Sequence, residues 1–97
     1  GTYVVGIEDI LAENDGIVIY PNPSTGALNI LLETTQASEG TLVIRNPLGE
    51  LVYSENISVN AGRNELRLDL THQAAGLYHC TVMLGDKVYN RVISIQK

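Results

Sequence analysis

Ile17-Val18-Ile19-Tyr20-Pro21-Asn22-Pro23-Ser24-Thr25-Gly26 is the stretch on which the fold turns. Ile and Val are stiff at the first side-chain torsion, and with Tyr they pack well on a pleated surface, so Ile17–Tyr20 reads as a strand. Pro21 and Pro23 have no backbone N–H to give to a ladder, so the strand stops there or lies at an edge. Each proline also holds its predecessor, Tyr20 or Asn22, in extended geometry. The prediction is a stiff corner that ends at Gly26, with no side chain in it capable of catalysis.

Past this corner the chain keeps the period of a half-buried sheet. Leu28, Ile30 and Leu32 share one face of a second strand over Ala27–Glu33. Thr34–Gly40 is polar and reads as a turn, and Thr41–Arg45 as a third strand. Asn46-Pro47-Leu48-Gly49 fits a type I turn, with Asn first, Pro second and Gly fourth. Glu50–Val59 is a fourth strand, predicted to kink near Glu55-Asn56 and to form a hairpin with the third. After the turn Asn60-Ala61-Gly62, Leu66, Leu68 and Leu70 alternate with Glu65, Arg67 and Asp69 in a fifth strand. Thr71–Ala75 reads as a short crossing with a helical turn capped by Thr71. Tyr78, Cys80, Val82 and Leu84 face one way in a sixth strand. Gly85-Asp86 is a two-residue hairpin loop leading into a last strand, Lys87–Ile95. Seven strands at this spacing predict an all-β, seven-stranded antiparallel immunoglobulin-like β-sandwich, because a single sheet could not hide both leucine-rich faces.

Before the corner, Gly1–Asp15 mixes acids with apolar residues and has no clean period. It is expected to be a linker from a preceding domain, with residues 16–97 forming the folded unit. Asn14-Asp15-Gly16 is the turn signal between them. The acids of this segment lack the spacing of a calcium loop.

The 97 residues suffice for one core. At 44% hydrophobic with neither Trp nor Phe, that core must be aliphatic with a few Tyr, and the chain is too apolar for disorder. No apolar run reaches the ~20 residues of a membrane span, and no leader stands at the start, so an exported protein would carry this segment within a longer precursor. The formal charge is −5. Arg45, Arg63, Arg67, Lys87, Arg91 and Lys97 are dispersed, which argues against nucleic acid or an anionic membrane as partner.

Chemistry-bearing patterns are sparse. The lone Cys80 can form no internal disulfide and reads as a small buried hydrophobe. His79 is adjacent but points to the opposite face of a strand, which excludes a Cys–His dyad. His72 and His79 lack the further ligands of a metal site. No nucleophile, zinc or phosphate-loop motif is present, and no catalytic residue or cofactor is expected. Asn56-Ile57-Ser58 matches a glycosylation acceptor. Tyr3, Tyr20, Tyr53, Tyr78 and Tyr89 would stack on sugar rings if they were exposed; otherwise they fill the core with their hydroxyls reaching the surface.

Five motifs in order resemble one family. Ile17–Pro23 followed by Gly26 is similar to the start of the type A C-terminal sorting domain of type IX (Por) secretion substrates of Bacteroidetes. Val43-Ile44-Arg45-Asn46 with Gly49-Glu50-Leu51-Val52 resembles its strand–turn–strand. Gly62–Leu66 with Leu68-Asp69-Leu70 resembles the next strand, and Gly76-Leu77-Tyr78 its glycine–aliphatic–tyrosine signature. Arg91 and Lys97 are similar to its basic C-terminal block. The resemblance marks Pro21, Asn22, Pro23, Gly26, Gly49, Gly76, Tyr78, Arg91 and Lys97 as sorting-motif residues.

The resemblance implies an address rather than an enzyme. Cargo bearing such a domain passes through the periplasm, is recognised by an outer-membrane translocon, and reaches the cell surface or the medium. A surface sortase then removes the domain, with a cut expected within or upstream of Gly1–Gly16. Recognition by strand addition is expected at the last strand, which carries basic residues; self-association is expected to be absent or weak, through edge strands. The competing class is an immunoglobulin-like or fibronectin-like accessory module, a spacer or carbohydrate binder, in a secreted hydrolase.

Overall fold

The computed structural model describes residues 16–97, so the expectations for Gly1–Asp15 lie outside the described residues. Seven strands follow one another: β1 (Ile17–Tyr20), β2 (Ala27–Thr34), β3 (Ser38–Arg45), β4 (Leu51–Val59), β5 (Gly62–Asp69), β6 (Gly76–Leu84) and β7 (Lys87–Ile95). They form two antiparallel sheets, one ordered β1-β2-β5 and the other β4-β3-β6-β7. The described residues contain no helix. This is the predicted sandwich, and its immunoglobulin-like character is consistent with two packed antiparallel layers.

The alternation in the sequence becomes the core. Ile17, Ile19, Leu28, Ile30, Leu32, Leu68 and Leu70 of the three-stranded side meet Leu42, Ile44, Ile57, Val59, Tyr78, Cys80, Val82, Leu84, Tyr89, Ile93 and Ile95 of the four-stranded side. Every second residue of β6 from Tyr78 to Leu84 is buried, as the period of two requires. Tyr78 is buried and its hydroxyl donates to the Ala74 carbonyl at 2.7 Å, so its polar end is satisfied locally.

Three local expectations are corrected. β3 begins at Ser38, so the polar stretch after β2 contains only a short turn. Ser38, Glu39 and Gly40 pair with Val59, Ser58 and Ile57, and β4 thereby recruits polar residues that have no strand pattern of their own. The kink placed near Glu55-Asn56 is absent, since both residues sit in regular register with Leu42 and Thr41. The irregularity lies instead where Ile44 pairs with Tyr53 and Arg45 with Leu51, which makes Val52 the extra residue of a β-bulge. Finally, Thr71–Ala75 is a turn and not a helical one. Thr71 does not cap it: its N–H and hydroxyl both donate to the Asp69 carboxylate. That donation, the hydroxyl's part the larger, holds the Asp69 carboxyl below its ordinary value.

The turns predicted at Asn46–Gly49 and Gly85-Asp86 hold. Gly49 N donates to Asn46 O at 2.9 Å, closing the β3–β4 hairpin, and Gly85 opens the β6–β7 loop with φ 58°.

Candidate functional site

The antiparallel register gathers the six connections, the start of β1 and the end of β7 into two opposite poles. Tyr20 pairs with Asn29, Ala27 with Asp69, Arg45 with both Leu51 and His79, and Gly76 with Ile95. The corner 21–26, the 46–50 turn, the 70–75 crossing and the end of β7 therefore share one pole. Eight of the nine expected motif residues are on it: Pro21, Asn22, Pro23, Gly26, Gly49, Gly76, Tyr78 and Lys97. Arg91 lies farther along β7, opposite Cys80, and its guanidinium donates to the Asn90 carbonyl at 2.7 Å.

The Pro-Asn-Pro corner does more than stop a strand. Asn22 Nδ2 donates to Val92 O at 2.9 Å, and Asn22 Oδ1 accepts from Ser94 N at 2.9 Å. The side-chain amide thus occupies the place of a peptide group beside β7. Two residues later the backbone takes over: Ser24 N donates to Ser94 O at 2.9 Å, and Gln96 N to Ser24 O at 2.8 Å. Ser24 also forms a parallel bridge with Ile95. Its own hydroxyl is buried, accepting from Gly26 N at 2.9 Å and donating to Ala27 O at 3.1 Å. Both X–Pro bonds in the corner are cis.

This arrangement closes the second half of the edge that was expected to be open on the last strand. Val92 O, Ser94 N, Ser94 O and Gln96 N of β7 are already paired with Asn22 and Ser24, while Val88 and Asn90 lie beyond the clamp. Ser24 and Ser94 had no sequence signal beyond small polar character, because a residue that bonds through its backbone leaves little mark on its side chain.

The rest of the pole is closely fitted. Gly26 has φ 123°, and a Cβ there would lie 2.7 Å from the backbone of Leu70 and Thr71. The contact exists because Leu70 N donates to Gly26 O at 2.8 Å, stitching the corner to the β5–β6 crossing. A Cβ on Gly76 would come within 2.9 Å of Pro47 Cγ, so the 46–49 turn packs on the start of β6. Lys97 Nζ donates to the Thr71 carbonyl, tying the last residue to the same crossing.

Cys80 is 1% exposed while His79 is exposed on the other face, and burial pushes the Cys80 thiol up to about 12. Among the described residues no group of three His, Cys, Asp or Glu side chains could hold a metal ion. A shallow cleft of about 110 Å³ at the opposite pole, between 34–38 and 84–89, holds Asp86 as its only carboxylate. Of the described tyrosines, Tyr78 and Tyr89 belong to the core, Tyr53 packs partly against it, and Tyr20 is exposed. They do not line up as a stacking platform.

No curated protein matches the chain. The sequence model of one family, described as the secretion system C-terminal sorting domain, matches residues 18–96. That span begins inside β1 and ends just past β7, taking in the corner, its clamp on the last strand and both sheets, and the chain belongs to the family of secretion system C-terminal sorting domains.

Proposed function

We propose that residues 16–97 act as a non-catalytic sorting signal, read by the outer-membrane translocon of a type IX secretion system and afterwards cut from its cargo by a surface sortase. Family membership implies the coarser part: a type IX secretion system, a cargo precursor, and export to the cell surface or secretion. The single observation that carries the reading is the family match over nearly the whole folded unit. The gathering of eight motif residues at one pole supports it, because a signal read by shape needs its distinguishing residues in one place.

Residues 1–15 are the expected linker, and the cut falls within or upstream of Gly1–Gly16, since proteolysis by a second protein needs accessible backbone. Passage through the periplasm precedes recognition.

The test is a fusion of the whole chain behind a reporter with a signal peptide, in a host carrying the secretion machinery. The reporter is expected on the cell surface or in the medium, with a new C-terminus at or before Gly16 by mass spectrometry. A reporter that stays in the periplasm would overturn the sorting role, and a mature C-terminus beyond Gly26 would overturn the cleavage site.

A further inference from the structure

The two sheets present four outer edges, belonging to β1, β5, β7 and β4. An unpaired edge is a template for a further strand, and proteins blunt such edges with short length, proline, charge or a covering segment. Three of the four are blunted here. β1 has 4 residues and runs into Pro21. β5 carries Arg63, Glu65, Arg67 and Asp69 at alternate positions. β7 is covered from Val92 O to Gln96 N by Asn22 and Ser24, and its uncovered half carries Lys87 and Arg91.

β4 is blunted less: its devices are the β-bulge at Val52 and the charge of Glu55, which lies opposite buried Leu42 on the inward face and accepts from the Tyr53 hydroxyl. It is 9 residues long, Leu-Val-Tyr-Ser-Glu-Asn-Ile-Ser-Val, with no Pro, Gly or Lys and one charged residue, Glu55. The direction of its backbone groups follows from the sheet. Val92, Ser94 and Gln96 point away from β6, so the odd-numbered residues of β7 bond to β6. Alternation carried through β6 and β3 leaves the odd residues of β4 bonded to β3 and Ser54, Asn56 and Ser58 pointing outward. Asn60, next in this outward series, has its N–H and carbonyl taken by the Asn64 side chain. Among the described residues nothing is hydrogen-bonded to the backbone of Ser54, Asn56 or Ser58, and all three residues are exposed.

The chemistry at this edge selects the occupant. Glu55 lies on it, Glu50 precedes it, and Glu39 stands across from Ser58, while Arg45 is turned to the Gly49 carbonyl. Val52 and Tyr53 pack on the core but stay half-exposed, ready to be covered by an apolar neighbour. A second copy of the chain is a poor fit. Each copy carries −5, and antiparallel pairing centred on Ser54, Glu55 or Asn56 sets the two Glu55 side chains diagonal or opposite. We infer that the outer edge of β4 receives an extended segment of a partner protein of the export apparatus, added as a strand through Ser54, Asn56 and Ser58, with apolar side chains over Tyr53 and a Lys or Arg beside Glu55. This rests on the sorting reading above.

The fusion of the whole chain also tests it. Asn56→Pro and Ser58→Pro each remove one outward N–H, the location where an edge strand tolerates proline, and leave the bonds of Glu55 and Ile57 to β3 in place. Both variants are expected to keep the circular dichroism spectrum of the unsubstituted chain and to lose at least tenfold in export. A benzophenone amino acid at Asn56, which needs no proline, is expected to crosslink in exporting cells to a basic, extended segment of an export protein. Full export of the folded proline variants overturns the inference, as does a crosslink to a second copy or to residues 1–15 of the same chain. If neither proline variant folds, the crosslink decides. An unsubstituted fusion held in the periplasm overturns the sorting reading and this inference with it; normal export of the variants alone overturns only the edge.

Discussion

Asn22 shows how one side chain can act as a length of backbone. Its amide donates to Val92 O and accepts from Ser94 N, both at 2.9 Å. A neutral hydrogen bond contributes about 0.5–1.5 kcal/mol net, so losing the two by Asn22→Ala is expected to cost about 1–3 kcal/mol in urea unfolding. It should also speed amide exchange at Ser94, whose N–H loses its partner. Cys80 gives a pH prediction. Burial raises its thiol from 9.0 to about 12 in the folded protein, opposed weakly by the Arg91 charge. Below the unfolded value both states hold the proton and the full stability is present. Stability is then lost as pH rises from 9.0 toward 12, by on the order of 1 kcal/mol per pH unit passed above 9.0. Cys80→Ala should flatten that part of the stability–pH curve in denaturant titrations. Burial of Cys80 was legible from its place between Tyr78 and Val82. The role of Asn22 was not, because its partners lie 70 and 72 residues away.

Among the elements, β7 carries two kinds of information that the sequence alone conflates. Its inward residues Ile93 and Ile95 are 0% and 2% exposed, and its outward backbone groups hold the corner. Fully burying an Ile is worth roughly 1.5–3 kcal/mol, against about 5–15 kcal/mol for a whole domain. Deleting Arg91–Lys97 is therefore expected to unfold the domain, seen as loss of the cooperative thermal transition. Failure of that truncation to be exported would report misfolding and not lost recognition. Existence and type of all seven strands were readable from alternation and turn residues. The start of β3 was not, since Ser38–Gly40 are held in the sheet by β4 and carry no apolar alternation. The bulge at Val52 was displaced by three or four residues for the same reason. A bulge is set by the mismatch between two strands, and neither strand records it separately.

The described residues are two sheets closed over one core, with eight of the nine expected motif residues at one pole. Ile30, in the middle of β2, is 0% exposed and lies between β1 and β5. Ile30→Ala is expected to cost about 2–5 kcal/mol in chemical denaturation. The loss should lower both sheets in a single transition, because they share the core. The same closure explains why motif residues spread from Pro21 to Lys97 come together. Antiparallel pairing brings every second reversal to the same end, and Gly26, Gly76 and Pro47 are small or flat enough to let three of them touch.

What the chain's own residues determine is the alternation of apolar and polar positions, the turns at Asn46–Gly49 and Gly85-Asp86, and the order of motifs that mark the family. These are local properties, written in side-chain size and backbone freedom within a few residues. Which edges are closed was decided only in three dimensions. The last strand looked open because nothing near it in sequence covers it, yet the corner at the far end of the chain folds back and pairs with it. The fourth strand had no distinguishing feature until the other three edges were accounted for. Hydrogen bonds between backbones are blind to side-chain identity, so their pairing is set by the packing of the two sheets and not by any motif.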